Sequence, residues 1–394
     1  LKNNLNIEVN SEGFAAVKIV WENGIVSSIK PIEINNTQPK KILFPRFVES
    51  HSHFDKSFTW LNFPNLRSNY ENALSVNLEE HITRTSNKVL VRAEESLNLA
   101  LKNGYRAIRT HVDTYDLQDQ KIWPKLFKLR EKYLSLLSIQ FVALAPLEFW
   151  SSEDGERLAM NLKKYGDLIG GVVVPPFNKQ KLLQLLSNMI LLANKHKLGI
   201  DLHIDESSVS PGAGIKLLLK TIKKLKSKVP ITCSHLSSIS LLKKSEITKL
   251  SKEIAENNIK VIALPLTNFW LLNRDENELS TIRPVAPIKQ LQNNFVDVSV
   301  GSDNVQDPWY PFGKFDPFYL MSLAIPMLQL NPWDRLSMSA LLTAPSRLLS
   351  LSWDGIIKKG CPADFVIVYG KSWADVISGN IEKEVLIKGE FYKK

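Results

Sequence analysis

Five residues carry side chains whose types and spacing could hold a metal ion and activate water. His51 and His53 are separated by a single residue. On an extended chain, alternate residues project from the same face, so both imidazoles can reach one ion. His203, His235 and Asp303 each fall where an apolar run gives way to polar residues. Three neutral imidazoles with one carboxylate suit Zn²⁺ or Fe²⁺ and leave a position for water. A lone His-x-His arises often by chance, so the weight rests on the elements that bring the other residues beside it.

Those elements alternate between strand and helix. Eight short β-branched or apolar runs appear in order: Ile42–Glu49, Tyr105–Val112, Ser138–Ala145, Leu168–Val174, Gly199–Ile204, Pro230–Ser234, Lys260–Leu264 and Val296–Gly301. Stretches with helical periodicity lie between most of them, such as Asn87–Lys102, Gln180–Lys197 and Leu241–Asn257. Two more helical stretches, Phe318–Leu328 and Trp333–Ser350, follow the eighth run. Eight such units predict an α/β fold, a closed (β/α)8 TIM-like barrel. An open doubly wound sheet would carry a Gly-rich turn after its first strand, where this chain has His51-Ser52-His53. Barrel enzymes build their sites at the C-terminal strand ends, which is where His51, His53, His111, His203, His235 and Asp303 fall.

The two chain ends read differently, as short alternating runs such as Ala16–Val20 and Asp364–Val368. They predict a small composite β-sandwich from residues 1–40 and 352–394, flanking a barrel of residues 41–351.

Composition narrows the function classes. The 394 residues are 44% hydrophobic and 23% charged, an ordinary globular balance. A formal net charge of +10 raises the question of nucleic acid. The lysines, however, are scattered over helical stretches without aromatic interleaving or a nucleic-acid motif, so none is expected as a partner. Two distant cysteines, Cys233 and Cys361, exclude a disulfide framework and a Cys-rich zinc site. No apolar run reaches the length of a membrane span. The start, Leu1-Lys2-Asn3-Asn4, lacks the pattern of a secretion signal, and the cytoplasm is the expected compartment. Composition leaves a homo-oligomer open.

The local sequences at the strand ends resemble the amidohydrolase superfamily, and within it the cytosine deaminase-like hydrolases and N-isopropylammelide amidohydrolase. His51-Ser52-His53-Phe54-Asp55-Lys56 is similar to that group's His-x-His-Leu-Asp-Lys, and Ile108–Asp113 to its Val-Arg-Thr-His-Val-Asp. His203-Ile204-Asp205-Glu206 matches His-x-Asp-Glu, and Ser234-His235 matches Ser-His. Gly301–Asn304, with Asp307–Pro311, resembles the eighth-strand segment. The resemblance implies one divalent metal ion, zinc or iron, held by His51, His53, His203 and Asp303. It implies catalytic roles for Glu206 as proton shuttle, for His235 beside the activated water, and for Asp303 as first proton acceptor. His111 belongs to the motif without being a ligand. Asp55 and Asp113 could orient histidines or simply cap helices.

The implied reaction is hydrolytic deamination of a small heterocycle, cytosine-like, pyrimidine or triazine. Water activated by the metal attacks a ring carbon, and ammonia or an amine leaves. The departures from the pattern fall around the ring. Where cytosine deaminases carry Pro-Gln-Glu, this chain has Pro146-Leu147-Glu148, and Leu147 cannot hydrogen-bond. Their Pro-His-Phe is Pro175-Pro176-Phe177, and the carboxylate after the metal-binding aspartate is Asn304. Leu147, Asn304 and Trp309 are the expected substrate contacts, and the substrate is expected to differ from cytosine. Two rivals stand beside this reading: hydrolysis of a cyclic amide or imide, and a metal-binding barrel without activity. The fourth run, Leu168–Val174, lacks the lysine that bridges two metals in many cyclic-amide hydrolases, which favours one metal.

Overall fold

The computed structural model describes residues 9–32, 41–115, 119–275, 277–378 and 381–393. Residues 1–8, 33–40, 379–380 and 394 of the expected sandwich segments lie outside them.

The strands, in chain order, are β1 (Val17–Glu22), β2 (Ile25–Pro31), β3 (Ile42–Pro45), β4 (Phe47–Ser52), β5 (Tyr105–Asp113), β6 (Ser138–Leu144) and β7 (Leu168–Val173). They continue with β8 (Gly199–Ile204), β9 (Ile231–His235), β10 (Lys260–Ala263), β11 (Val298–Val300), β12 (Phe365–Val368), β13 (Lys383–Ile387) and β14 (Glu390–Phe391). Strands β4 to β11 pair in parallel and in sequence order, forming the expected eight-stranded barrel sheet. A bridge between Ser52 and Asp303 joins its first and last strands, and the Asp303 amide donates to the His51 carbonyl at 2.9 Å. The seam therefore meets at the C-terminal rim, among the candidate ligands.

The strands are near-continuous apolar runs because both faces are covered, by barrel interior and by helices. In β5 every residue but Arg106 is buried. The helices bury one stripe each. Lys179–His196 packs Leu182, Leu186, Met189, Ile190 and Ala193 inward at helical spacing. It starts at Asn178, whose side chain accepts from the amides of Gln180 and Lys181.

The run Ile42–Glu49 divides in two, a difference from the single strand its composition predicts. Ile42–Pro45 leaves the barrel to pair antiparallel with β12, and only Phe47–Ser52 enters the barrel sheet. Arg46 sits at the break, buried, with its guanidinium donating to the carbonyls of Tyr105 and Leu136 and lying 3.8 Å from Asp364. Strands β3, β12, β13 and β14 form one antiparallel sheet, and β1–β2 is a hairpin beside it. Val26, Trp353, Cys361, Phe365 and Leu386 share a core between them, so both chain ends build the small β-sandwich.

The helix Tyr70–Thr83 was not expected from the sequence. Its buried residues are Ala73, Asn77 and Glu80, whereas Leu74, Leu78 and Ile82 are exposed. No described helix is long and apolar enough to cross a membrane.

Candidate functional site

The five metal-type residues meet at the C-terminal mouth of the barrel, with His51, His53 and His203 in one close group and His51, His235 and Asp303 in another. Nε2 of His53 lies 3.2 Å from Nε2 of His51 and 3.3 Å from Nε2 of His203. Oδ1 of Asp303 lies 3.4 Å from His51 Nε2 and 3.3 Å from His53 Nε2. Ligand atoms about 2.05 Å from a tetrahedral ion stand about 3.3 Å from one another, so this spacing fits a zinc-sized shell. Protons alone cannot satisfy the group. Burial pushes His51 down to about 3 and His203 well below its usual value, so both rings are neutral with one N–H each. At Asp303 burial favours the neutral acid, but the His51 and His53 rings outweigh it and hold the carboxyl well below the usual range. Neither carboxylate oxygen of Asp303 has a satisfying hydrogen bond among the described residues. Buried lone pairs facing a buried carboxylate are the donor set of a cation site.

The strand exits are bent to make this convergence. Asp205, His235 and Asp303 hold left-handed backbone, at φ of 54°, 69° and 66°. Non-glycine residues adopt that region rarely and at some cost, and Asp and His are among the more tolerant. The Asp205 carboxylate accepts from the amides of Gly214 and Ile215 at 2.8 Å each. That anchor fixes the turn that brings Glu206 over the cavity.

Glu206 and His235 form a pair beside the cluster, with Oε1 of Glu206 3.3 Å from Nδ1 of His235. Burial, and then the Asp303 charge, hold the Glu206 carboxyl well above the usual range, which favours its protonated form. Burial pushes His235 down to about 3. Asn268, from the short helix Pro265–Leu271, donates its amide to His235 Nδ1 at 3.0 Å. With Nδ1 accepting, the ring proton belongs on Nε2, which is buried without a partner among the described residues. Sequence reasoning missed Asn268. A lone amide one turn past a strand exit has no spacing signal.

The other sequence candidates sort cleanly. His111 stacks beneath His51, with ring centroids 3.9 Å apart, and faces Asp201 at 3.5 Å rather than the four-atom cluster. Asp55 and Asp113 cap no helix. Asp113 accepts from Lys56 Nζ at 2.8 Å and from Arg84 at 2.9 Å, and Asp55 accepts from Arg84 at 3.0 Å and from the Asp113 amide at 2.9 Å. Arg84 and Arg92 also hold Glu80, so this buried ion network ties the helix Tyr70–Thr83 to the loop after β4.

A cavity of about 910 Å³ opens above the cluster. His53, His203, Glu206, His235 and Asp303 line its floor. Leu147, Pro176, Phe177 and Val172 form one wall, and Tyr70, Asn304 and Trp309 another. The three expected substrate contacts, Leu147, Asn304 and Trp309, thus all face it. Asn304 gives its amide NH₂ to Asp307 at 2.7 Å, which leaves Oδ1 as an acceptor. The indole N–H of Trp309 is buried without a partner among the described residues, and its ring meets Tyr70 edge-on at 5.2 Å. Lys56 also reaches the cavity lining, a role the sequence did not assign.

The fold and this rim define the class: the chain belongs to the Amidohydrolase family, whose model matches residues 152–376. Among curated proteins, a pterin deaminase from Rhizobium rhizogenes is 27% identical over 97% of this chain and 89% of its own length. N-isopropylammelide isopropyl amidohydrolase from Pseudomonas sp. strain ADP is 24% identical over 84% of this chain and 81% of its own. Among solved structures, 5-methylcytosine deaminase from Klebsiella pneumoniae, liganded with 5-fluorocytosine, superposes with a TM-score of 0.81. It shares 19% identity, over 97% of this chain and 95% of that one, and shows the same fold.

Proposed function

We propose that this protein is a metal-dependent hydrolytic deaminase of an amino-substituted heterocycle, with His51, His53, His203 and Asp303 holding one zinc or iron ion. The observation that carries the reading is Glu206 paired with His235 at 3.3 Å beside the four cation-type donors, where burial favours the protonated carboxyl and the neutral ring. A bound divalent ion would supply Lewis acidity, lowering the pKa of water toward about 7.

The protein residues account for the remaining steps. Asp303, held ionised, accepts the proton that water gives up as its oxygen bonds to the ring carbon. Glu206 gives its proton to the adjacent ring nitrogen, which takes up the electron pair of the C=N bond. His235, with Nε2–H free, donates a hydrogen bond to the attacking oxygen. The proton on Asp303 then passes to the amine, the C–N bond breaks, and ammonia leaves. Glu206 recovers its proton from the new hydroxyl as the carbonyl forms.

The cavity supports a substrate larger than a bare pyrimidine. Small-molecule sites span roughly 300–1,000 Å³, and this one, at about 910 Å³, lies near the top. Its lining includes the donors Trp309 N–H and Lys56, the acceptor Asn304 Oδ1, and the Tyr70 and Tyr115 hydroxyls. A bicyclic ring of the pterin type, with both acceptor and N–H edges, matches that set. Two buried free cysteines support work in a reducing cytoplasm.

The cyclic-amide alternative meets an obstacle at β7. A side chain at Gly171 would come within 2.6 Å of Leu147 Cδ2, so a lysine there would have to displace Leu147 from this stretch of wall. The deciding experiment is ammonia release by the purified, metal-loaded protein from pterin, cytosine and N-isopropylammelide, with cyclic imides alongside. Ammonia from an amino-substituted ring, abolished by a chelator, is expected. Ring opening of an imide without ammonia from any amine would refute the proposal.

A further inference from the structure

Behind the four-atom cluster, the barrel wall holds a polar chain that the proposed chemistry leaves unused. His51 turns its other ring nitrogen, Nδ1, away from the cavity to 2.9 Å from the Ser234 hydroxyl on β9. That hydroxyl donates to Oδ1 of Asp201 on β8 at 2.7 Å. The second oxygen of Asp201 accepts from Arg109 on β5 at 2.8 Å. Arg109 gives its remaining donors to Thr232, Gln140 and the Leu348 carbonyl. His51, Ser234 and Asp201 are wholly buried, and Arg109 nearly so, which shields the chain from exchange with solvent.

The donor inventory settles the direction of this chain. An ionised carboxylate only accepts, so Asp201 takes the single proton of Ser234. The Ser234 oxygen can then meet His51 only as an acceptor, and His51 Nδ1 must carry the ring proton. A neutral imidazole has one N–H, so His51 Nε2 is left as a lone pair, aimed at the cluster. His111, stacked on the same ring at 3.9 Å, restrains its plane. The other two imidazoles differ. Nδ1 of His53 and Nδ1 of His203 are buried without a partner among the described residues.

We infer that Asp201 and Ser234 are positioning residues that lock His51 as the Nδ1–H tautomer, and thereby set the affinity of the site for a divalent cation. The inference rests on the reading of His51 as a ligand. It concerns a hydrogen-bond partner behind the ligand, a kind of contact whose loss typically weakens metal binding about 10–100-fold.

The test uses the full chain, stripped of metal and titrated with Zn²⁺ in competition with a chromogenic chelator. Ser234→Ala should raise the zinc dissociation constant about 10–100-fold, whereas Ser234→Thr, which keeps the hydroxyl, should hold wild-type affinity. Asp201→Asn can donate to Ser234 and turn its hydroxyl proton toward His51, so it should weaken zinc more than Ser234→Ala. Circular dichroism and a thermal melt of each metal-free variant report whether it is folded. A ¹⁵N-histidine spectrum of the metal-free protein reads the tautomer directly. His51 should carry its proton on Nδ1 in the wild type and lose that preference in Ser234→Ala. Unchanged zinc affinity in a folded Ser234→Ala protein, or a wild-type His51 protonated on Nε2, overturns the inference. His51→Ala separates it from the reading beneath. If that variant too binds zinc like the wild type, the ligand assignment itself falls, and the tautomer lock with it.

Discussion

Glu206→Gln isolates proton transfer from everything else the cavity does. Glutamine keeps the size and hydrogen-bonding reach of the side chain toward His235, 3.3 Å away, and Asn268, 3.5 Å away. What it removes is the transferable proton. General acid–base groups contribute about 10²–10⁴ in rate, so kcat should fall by at least about a hundredfold, or about 2.7 kcal/mol of barrier. KM and metal content should change little. Stability should move the other way. The native Glu206 carboxyl holds its proton far more tightly than the unfolded one, whose ordinary value is 4.5. The stability tied to that proton is fully present below the unfolded value and is lost as pH rises toward the native one. Glutamine does not titrate and escapes that loss. In metal-free protein the variant should therefore gain on the wild type by about 1.4 kcal/mol per pH unit through this window. Steady-state ammonia release and thermal melts at pH 5, 6 and 7 in a chelator provide both readouts. Full turnover in the variant, or a stability gap that stays flat with pH, would refute the reasoning.

Three further perturbations probe the surroundings. Asn268→Leu removes the donor at His235 Nδ1 and should lower kcat about 10–100-fold, the usual range for losing such a supporting hydrogen bond; zinc affinity measured by chelator competition should not change. Arg84→Met takes the ion-pair partner from buried Asp55, while Asp113 keeps Lys56 and Glu80 keeps Arg92, and should cost about 3–5 kcal/mol of stability in denaturant melts; a loss below about 1 kcal/mol would mean that the network matters little. Gly171→Ala presses a methyl group against Leu147 Cδ2 and should cost about 1–3 kcal/mol by overpacking. KM should rise in that variant with little change in kcat, since Leu147 lines the cavity wall and carries no group for proton transfer.

The barrel and the histidine–aspartate cluster were legible for the same reason. Strands buried on both faces are mostly apolar, so His51, His203, His235 and Asp303 near the ends of the runs stand out, although Arg109 and Asp201 lie inside strands as well. Legibility failed where the pattern was local or inverted. The first run breaks at Arg46 because one buried guanidinium ties the barrel to the small sheet, and no periodicity marks that. The helix Tyr70–Thr83 buries Asn77 and Glu80 against the Arg84 network and turns leucines outward, so its amphipathic signal is reversed. Asn268, Ser234 and Asp201 act through single hydrogen bonds to histidines. Only coordinates reveal which neutral side chain meets which ring nitrogen.

The seam between β4 and β11 carries a consequence for synthesis of the chain. His51 and His53 leave the ribosome with the first barrel strand, and His203 with the fifth. Asp303 follows only with the last, where its bridge to Ser52 closes the ring. A nascent chain thus presents imidazoles without the carboxylate that would complete the grip, and chains are made N-terminus first. An ion captured early would be held loosely, and an ion held tightly would certify a finished barrel. Metal loading would then serve as a clasp, stabilising the native chain in proportion to the ion it retains.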